Sequence, residues 1–494
     1  MNFALAPNED WDYFAELTGD KSWSAKAMDP YFIDVEDCLY VPEGTPRHGF
    51  NGFISSDRGN LSYLTNRSGV VEVLYGAARE AEGVEIRDIQ HVTDLMERDM
   101  NTQEYLYAPG IFQVINSVDG MKRRSSIRNH ITGTIEADYP LTLSPHSLAT
   151  RVLFSTGKSK PKAYGVEYMV GEGLYGADRR YDPDQTGQLR NVTATKEVIV
   201  AGGTFNTPQI LKLSGVGPRE ELESFGIPVI VDLPGVGMNL QDHTESPVMF
   251  NASAPWDGNP TERCTFAFDS TDPCFVEWQN GTGPYGESGA ALTVRLTTSY
   301  SETGNADIWL IGLANAFING FYPGYSYRPP VPSGWSWAMV KAHMPGDEFS
   351  SGTVILQSAD PRDPPVINFD WLRGEAGERD LLALTESVEF LGRIFDGLSE
   401  HYTPVTRHLP AAGQDIAQAL RDESFGHHAA SSCRMGPVGD PYACVDSELR
   451  VNGVEGLRVV DASVFPYPPG SFPFLPTYMM GLKAADLISK AATS

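Results

Sequence analysis

The most constraining feature of this chain is the run KEVIVAGGTFNTPQILKLSGVGP, Lys196 to Pro218. EVIVA is short and almost wholly apolar, the pattern of a strand buried on both faces of a parallel sheet. Gly202 and Gly203 follow it and permit a tight reversal. Thr207 then predicts a helix N-cap with Pro208 at the first helical position, and SGVG closes that helix. A strand, a glycine turn and a helix in direct succession require a layered α/β fold, because the strand needs a sheet and the helix must lie on it. By its residues alone, the turn is equally open to simple structure and to a phosphate-facing helix terminus.

One such unit does not account for 494 residues, a length at which two or more domains are expected. Hydrophobic content of 41% and aromatic content of 11% describe a globular chain. A formal net charge of −27 argues against a nucleic-acid or anionic-membrane surface, which needs clustered Lys and Arg. No run of about 18 apolar residues is present, so no membrane span is expected. The five cysteines, Cys38, Cys264, Cys274, Cys433 and Cys444, form no CxxC pair, although Cys264 and Cys274 are close enough to close a small loop. The N-terminus MNFALAPNEDWDYF is acidic and shows no leader. Sequons at Asn60, Asn66, Asn191, Asn251 and Asn280 matter only for a secreted chain. Localisation and oligomeric state are therefore left open.

Along the chain, residues 1–60 read as irregular structure with short helices. SGVVEVLYGAAREA, from Ser68, has helical apolar spacing with Ser68 as N-cap. Strands are expected near 148–154, 164–170, 196–201 and 457–461, the last three carrying the apolar runs of a buried sheet. GTVILQSADPRDPPVINF reads as strand, Pro-rich turn, strand, and GERDLLALTESVEFLGRIFDGL as an amphipathic helix. A literal GxGxxG, GEGLYG at Gly171 to Gly176, follows a plausible strand. The Asp-Pro-Asp and glycine after it preclude a clean helix, so it reads as a hairpin turn.

GTFNTPQILKLSGVG, Gly203 to Gly217, resembles the second signature pattern of the glucose–methanol–choline (GMC) oxidoreductases at every specified position. The resemblance continues through GIPVIVDLPGVGMNLQDH, then GTVILQSADPRDPPVINFDWL, then HAASSCRMG with VDSELRVNGVEGLRVVDASVFP and YMMGLKAADLI. It implies a mixed α/β fold in which a Rossmann-like FAD-binding domain is interleaved with a sheet-plus-helix substrate domain. The implied division is 1–137 for lid, flavin-proximal and substrate-domain segments, 138–244 and 424–494 for the FAD domain, and 245–423 for the substrate domain. The implied activity is oxidation of a CH–OH group by hydride transfer to flavin, with FAD as cofactor and a small-molecule alcohol as substrate.

Site residues carry over by position. The resemblance makes His428, seven residues before Met435, the base that removes the hydroxyl proton, a task that suits an imidazole at neutral pH. It assigns Asp461 and Ala462 to the ribityl chain and pyrophosphate, and Val152 to the adenine. Pro476 and Thr477 mark the helix whose N-terminus faces the flavin edge, where partial positive charge stabilises reduced flavin. His427 reads as structural. No metal is expected, since His427, His428 and Cys433 lack a further ligand cluster.

Two departures qualify the resemblance. The family's second catalytic His or Asn stands eleven residues before the lysine of the last helix. Counting back from Lys483 reaches Phe472, which can line a substrate pocket but cannot bond an alkoxide. The family's opening strand–GxGxxG–helix and GGSS-type segment also have no counterpart here, because NEDWDYFAELTGDKSW resembles text that follows them. The expectation is an N-terminally truncated member with weakened FAD binding and unpaired strand edges. A cofactor-free remnant that binds a partner or small molecule without redox chemistry, or a flavin-binding lyase or cyclase acting on a secondary-metabolite intermediate, are the alternative readings. The Trp and Tyr content of 245–342 favours an apolar or aromatic alcohol over a sugar.

Overall fold

The computed structural model describes residues 2–155, 157, 160–325, 330–343 and 350–493. Near the N-terminus, helices Asn8–Thr18 (α1) and Ala25–Val35 (α2) bury Trp11, Phe14, Met28 and Phe32. Strand Glu36–Cys38 (β1) then pairs in parallel with Ile54–Arg58 (β2). Helix Ser68–Glu82 (α3) follows as expected, but Ser68 is not its cap. Asp257 caps it from a distant loop, its two carboxylate oxygens accepting the amides of Ser68 at 2.9 Å and Gly69 at 2.8 Å. A carboxylate offsets the helix dipole better than a hydroxyl, so the tertiary partner takes the position. Gly110–Phe112 (β3) is a short strand that joins a sheet formed much later in the chain.

Strands Ser147–Ser155 (β4), Lys162–Val170 (β5) and Gln188–Thr193 (β6) correct one expectation. They form their own antiparallel sheet rather than extending a parallel one. GEGLYG lies in the turns between β5 and β6, as the hairpin reading expected, and the two strands run antiparallel on either side of that connection. β6 is exposed along its length, so this sheet keeps water on one side, which antiparallel sheets tolerate.

Val198–Val200 (β7) leads into helix Gly203–Leu213 (α4). The helix begins at Gly203, not at Pro208 as Thr207 had suggested. Proline inside a helix strands the carbonyl four residues back. Here the Thr204 carbonyl instead accepts the Ser432 hydroxyl at 2.5 Å, which ties α4 to the histidine-bearing loop. Thr207 accepts the Gly202 amide and donates to Asp461 Oδ2 at 2.6 Å.

Between β7 and its partner lies a second sheet. Glu245–Asn251 (β8), Leu292–Leu296 (β9), Ile308–Ala314 (β10) and Gly334–Lys341 (β11) assemble with β3 and a later edge strand. Helix Gly374–Ile394 (α5) covers one face, and Thr406–Leu409 (β12) is that edge, giving the order β12-β8-β11-β10-β9-β3. Side chains alternate by face. Ile308, Leu310, Trp335, Trp337 and Met339 join the core with α3 and α5. Trp309 and Val340, paired across β10 and β11, join the other core, to which the last helix belongs.

α3 and α5 cross closely at Gly76, where a Cβ would lie 2.0 Å from the Ile394 carbonyl oxygen. Gly76→Ala is therefore expected to destabilise the fold by roughly 1–3 kcal/mol through overpacking, seen as a lower urea midpoint at unchanged slope. Gly133→Ala, on an exposed helix with nothing within 4 Å of its Cβ, is the control and should be neutral or stabilising.

The chain returns through Leu457–Val459 (β13), which pairs in parallel with β7, Val198 opposite Leu457 and Val200 opposite Val459. The pairing joins 196–201 and 457–461 as expected, and the two segments flank the second sheet in sequence, so the architecture is mixed α/β and interleaved. Helix Phe474–Thr493 (α6) closes the chain and packs on α2.

Candidate active site

The stretch Gly426 to Met435 is threaded between two other segments. On one side Ala430 bridges Gln241. On the other, the amides of Ser431, Cys433 and Met435 donate to the carbonyls of Ala462, Ser463 and Val464. The His428 amide donates to Asp242 Oδ1 at 2.8 Å. Gly426 makes room for that carboxylate, since a Cβ there would lie 2.6 Å from it. The backbone on both sides thus fixes where His428 stands.

The two histidines then diverge. His427 is partly exposed and turns its Nδ1 to Glu245 Oε2, 3.1 Å away. His428 is buried, its Nδ1 3.3 Å from Nδ1 of His243. Its ring meets Phe472 edge-on at 5.0 Å, and Phe472 meets Trp309 in the same manner at 5.0 Å. Phe472, expected as a pocket residue, therefore stands directly against His428, and Trp309 extends the aromatic wall from β10.

Burial dominates the electrostatics. It holds His428 well below the ordinary imidazole range, with His243 and His427 reinforcing the effect. Burial likewise pulls His243 down to about 3 and His343 well below its usual value. It pushes Asp242 up to about 7 and raises Glu245. For His427 burial acts downward, but the neighbouring Glu245 carboxylate outweighs it and raises the pKa. His428 is consequently a neutral imidazole in an apolar wall, able to accept a proton.

The residues assigned to the cofactor fall in three places. Asp461 is buried at the end of β13, one carboxylate oxygen accepting the Gly203 amide and the Thr207 hydroxyl, the other the Ser463 amide. It builds the turn that presents Ala462, which is half-buried. Val152 lies on β4 with its amide donating to the Ser214 hydroxyl at the end of α4. Pro476 and Thr477 lie in the first turn of α6, where the Thr477 hydroxyl donates to the Pro473 carbonyl. None of them joins the histidine cluster, which Phe472 of the expected substrate pocket does.

Of these places, the turn at Asp461 and Ala462 could hold part of a flavin dinucleotide. The carboxyl ends of β7 and β13 lie side by side, with Ala201 and Gly202 exposed, the place where open α/β sheets bind such ligands. The buried hydroxyls of Ser431 and Ser463 flank the Asp461 turn without a hydrogen-bond partner among the described residues, as expected where a polar group belongs.

Sequence reasoning passed over Asp242, His243, Glu245 and Trp309. The signal was present for the first two, which close the NLQDH block, and for Trp309 in the alternation of ADIWLIGLA. It also missed a buried group near the N-terminus, where Glu36, Cys38 and His48 bring ligand-type atoms together. His48 Nδ1 lies 2.8 Å from Glu36 and Nε2 2.7 Å from Asp99. Burial lowers its pKa, but Asp99, Cys38 and Glu36 raise it to about 11. The Glu36 and Asp99 carboxylates bracket the ring at its two nitrogens and favour its protonated form.

The loop carrying Phe472 is anchored by Asp10 of α1, which accepts the Tyr467 hydroxyl at 2.8 Å and the Gly470 amide at 2.7 Å. Burial pushes this carboxyl from 3.8 up to about 7, against the pull of those two hydrogen bonds. A raised folded pKa stabilises fully below the unfolded value and is lost as pH rises through the folded one. Between about pH 4 and 7 the wild type should therefore lose stability that Asp10→Asn, neutral throughout, does not lose. Urea midpoints of both proteins at pH 5 and pH 8 test this, and identical pH dependence would contradict it.

Compared with known proteins, the chain matches the family described as GMC oxidoreductase, its N-terminal part over residues 1–245 and its C-terminal part over 348–481. It is 31% identical over 499 residues to an oxygen-dependent choline dehydrogenase of Pseudomonas fluorescens, aligning 97% of this chain with 76% of that protein. It is 27% identical over 531 residues to a glucose dehydrogenase (FAD, quinone) of Drosophila pseudoobscura pseudoobscura, aligning 99% with 72%. Among solved structures, formate oxidase superposes with a TM-score of 0.75 at 21% identity, over 99% of this chain and 82% of that one. A fungal aryl-alcohol oxidase does so at 0.72 and 21%, over 100% and 84%.

Proposed function

Since the chain belongs to the GMC oxidoreductase family, we propose that it oxidises an alcohol at its CH–OH carbon, with FAD as cofactor and His428 as base. Bound FAD supplies the two-electron acceptor such an oxidation needs. Ala462, the Asp461 turn, Val152 and the first turn of α6 at Pro476 and Thr477 would hold it. Asp461 acts by fixing the turn, because its oxygens are already committed to Gly203, Thr207 and Ser463.

The observation that carries the reading is the buried, neutral His428 against the Phe472 and Trp309 wall. Hydride leaves an alcohol readily only as its O–H proton leaves, and a neutral imidazole can take that proton. The aromatic rings exclude water from the carbinol carbon and offer an apolar surface. They support an apolar or aromatic alcohol as donor rather than a sugar. His427, paired with Glu245, contributes charge near the site but does not share the wall.

Incubating the FAD-loaded protein with primary aliphatic alcohols, benzylic alcohols, choline and glucose, and an artificial electron acceptor, tests the reading. Carbonyl product from at least one alcohol is expected, with benzylic donors ahead of glucose. No carbonyl product from any donor would overturn it.

A further inference from the structure

We propose that His243 is a positioning residue that fixes the tautomer of His428, placing a proton on His428 Nδ1 and leaving the Nε2 lone pair for substrate. The inference deepens the reading of His428 as base and rests on it. It follows from a chain of three groups whose hydrogen-bonding roles are forced from one end.

That end is the carbonyl of Pro468, which lies 3.3 Å from Nε2 of His243. A carbonyl oxygen can only accept, so Nε2 of His243 carries the proton. His243 is wholly buried and neutral, and a neutral imidazole has one N–H. Its Nδ1 is therefore bare and can only accept. The atom facing it, 3.3 Å away, is Nδ1 of His428. That nitrogen must donate, or two lone pairs would face each other in a buried site. His428 is neutral as well, so its single proton is used and its Nε2 is bare.

The reverse order fails at the first step. If His243 donated from Nδ1, its Nε2 would present a lone pair to the Pro468 carbonyl. The surrounding charges keep the chain neutral, since Lys341 and His427 both oppose protonation of His243, and His427 opposes it at His428. His343 packs edge-on against His243 at 5.5 Å and is itself held neutral by burial. Asp242 acts on the backbone amide of His428 rather than on its ring.

The terminal carbonyl is itself held in place. Pro468 lies between Tyr467 and Gly470, both of which donate to Asp10. The resemblance to the family had left the second polar partner of the base without a candidate, because Phe472 stands at its position. His243 fills part of that role from a different strand end, by orienting the base rather than touching the alkoxide.

Nitrogen-15 NMR of the FAD-loaded protein labelled at histidine reads the tautomer directly. The wild type should show His428 with a protonated Nδ1 and a bare Nε2, and the opposite assignment overturns the proposal whatever the activity. His243→Phe removes the acceptor and should shift His428 toward the Nε2-protonated form, lowering kcat about tenfold or more with little change in KM. His243→Gln can accept with its oxygen and donate to Pro468 with its amide, and should restore both the tautomer and most of kcat. If His243→Phe leaves tautomer and kcat unchanged, His243 has no positioning role. Should the tautomer follow the expected pattern while His428→Ala keeps full activity, the base assignment fails and the tautomer inference stands. Where His243→Phe does not fold, the wild-type and His243→Gln spectra decide.

Discussion

Replacing His428 with alanine is expected to lower kcat for alcohol oxidation by about 10²–10⁴-fold, the usual contribution of a positioned general base. The loss should appear in kcat and kcat/KM together, because the proton moves only in the chemical step. Substrate affinity should change little, since Phe472 and Trp309 still form the wall. Added imidazole should recover part of the rate by occupying the space the side chain leaves. His427→Ala should stay within a few-fold of wild type, because that ring turns to Glu245. The wild-type rate should show no titration near the ordinary imidazole pKa, as burial keeps His428 neutral well below it. Loss of the chemical step in His427→Ala, with His428→Ala intact, would reverse the assignment.

Asp461→Ala is expected to have the largest effect on stability, about 3–5 kcal/mol. Three donors, the Gly203 amide, the Thr207 hydroxyl and the Ser463 amide, lose a buried carboxylate acceptor at once. Each charge-assisted bond contributes about 1.5–3 kcal/mol, and the total is discounted because bonds to one group are not additive. The consequence is local as well as global. Asp461 is where β13 and the glycine turn after β7 are tied together, so FAD retention should fall even in protein that remains folded. Asp461→Asn keeps one acceptor and should lie between the two. Unfolding midpoints combined with the flavin content of the purified proteins separate the two effects. Unchanged values of both in Asp461→Ala would contradict this role.

Much of this arrangement was legible from residue order. The strand–glycine–helix run at Lys196 to Pro218 marked one half of the parallel pair, and LRVVDASVFP the other. ADIWLIGLA already contained the alternation that sends Ile308 and Leu310 to one core and Trp309 to the other. What local pattern could not supply were partners brought from far away in sequence. Ser68 lost the cap of its helix to Asp257, a stronger acceptor that only the tertiary fold delivers. Thr207 and Pro208 looked like a helix start, but Ser432 satisfies the carbonyl that Pro208 strands, so the helix begins earlier. β4 and β5 carried sheet patterns, yet they pair antiparallel with each other and with β6 instead of joining β7 and β13. His243 stood in plain view at the end of NLQDH, but its value lies in a contact with a ring on another segment.

On the proposed reading, this chain removes two electrons from a CH–OH group with FAD bound beside His428. The most direct test is to load the protein with FAD, exclude oxygen and other acceptors, and mix it with the alcohols of the product assay. At least one alcohol is expected to bleach the visible absorbance of oxidised flavin to completion, with one carbonyl product per flavin, and His428→Ala to slow the bleaching by about 10²-fold or more. Flavin that stays bound and oxidised with every alcohol, or that bleaches equally fast in His428→Ala, would contradict it.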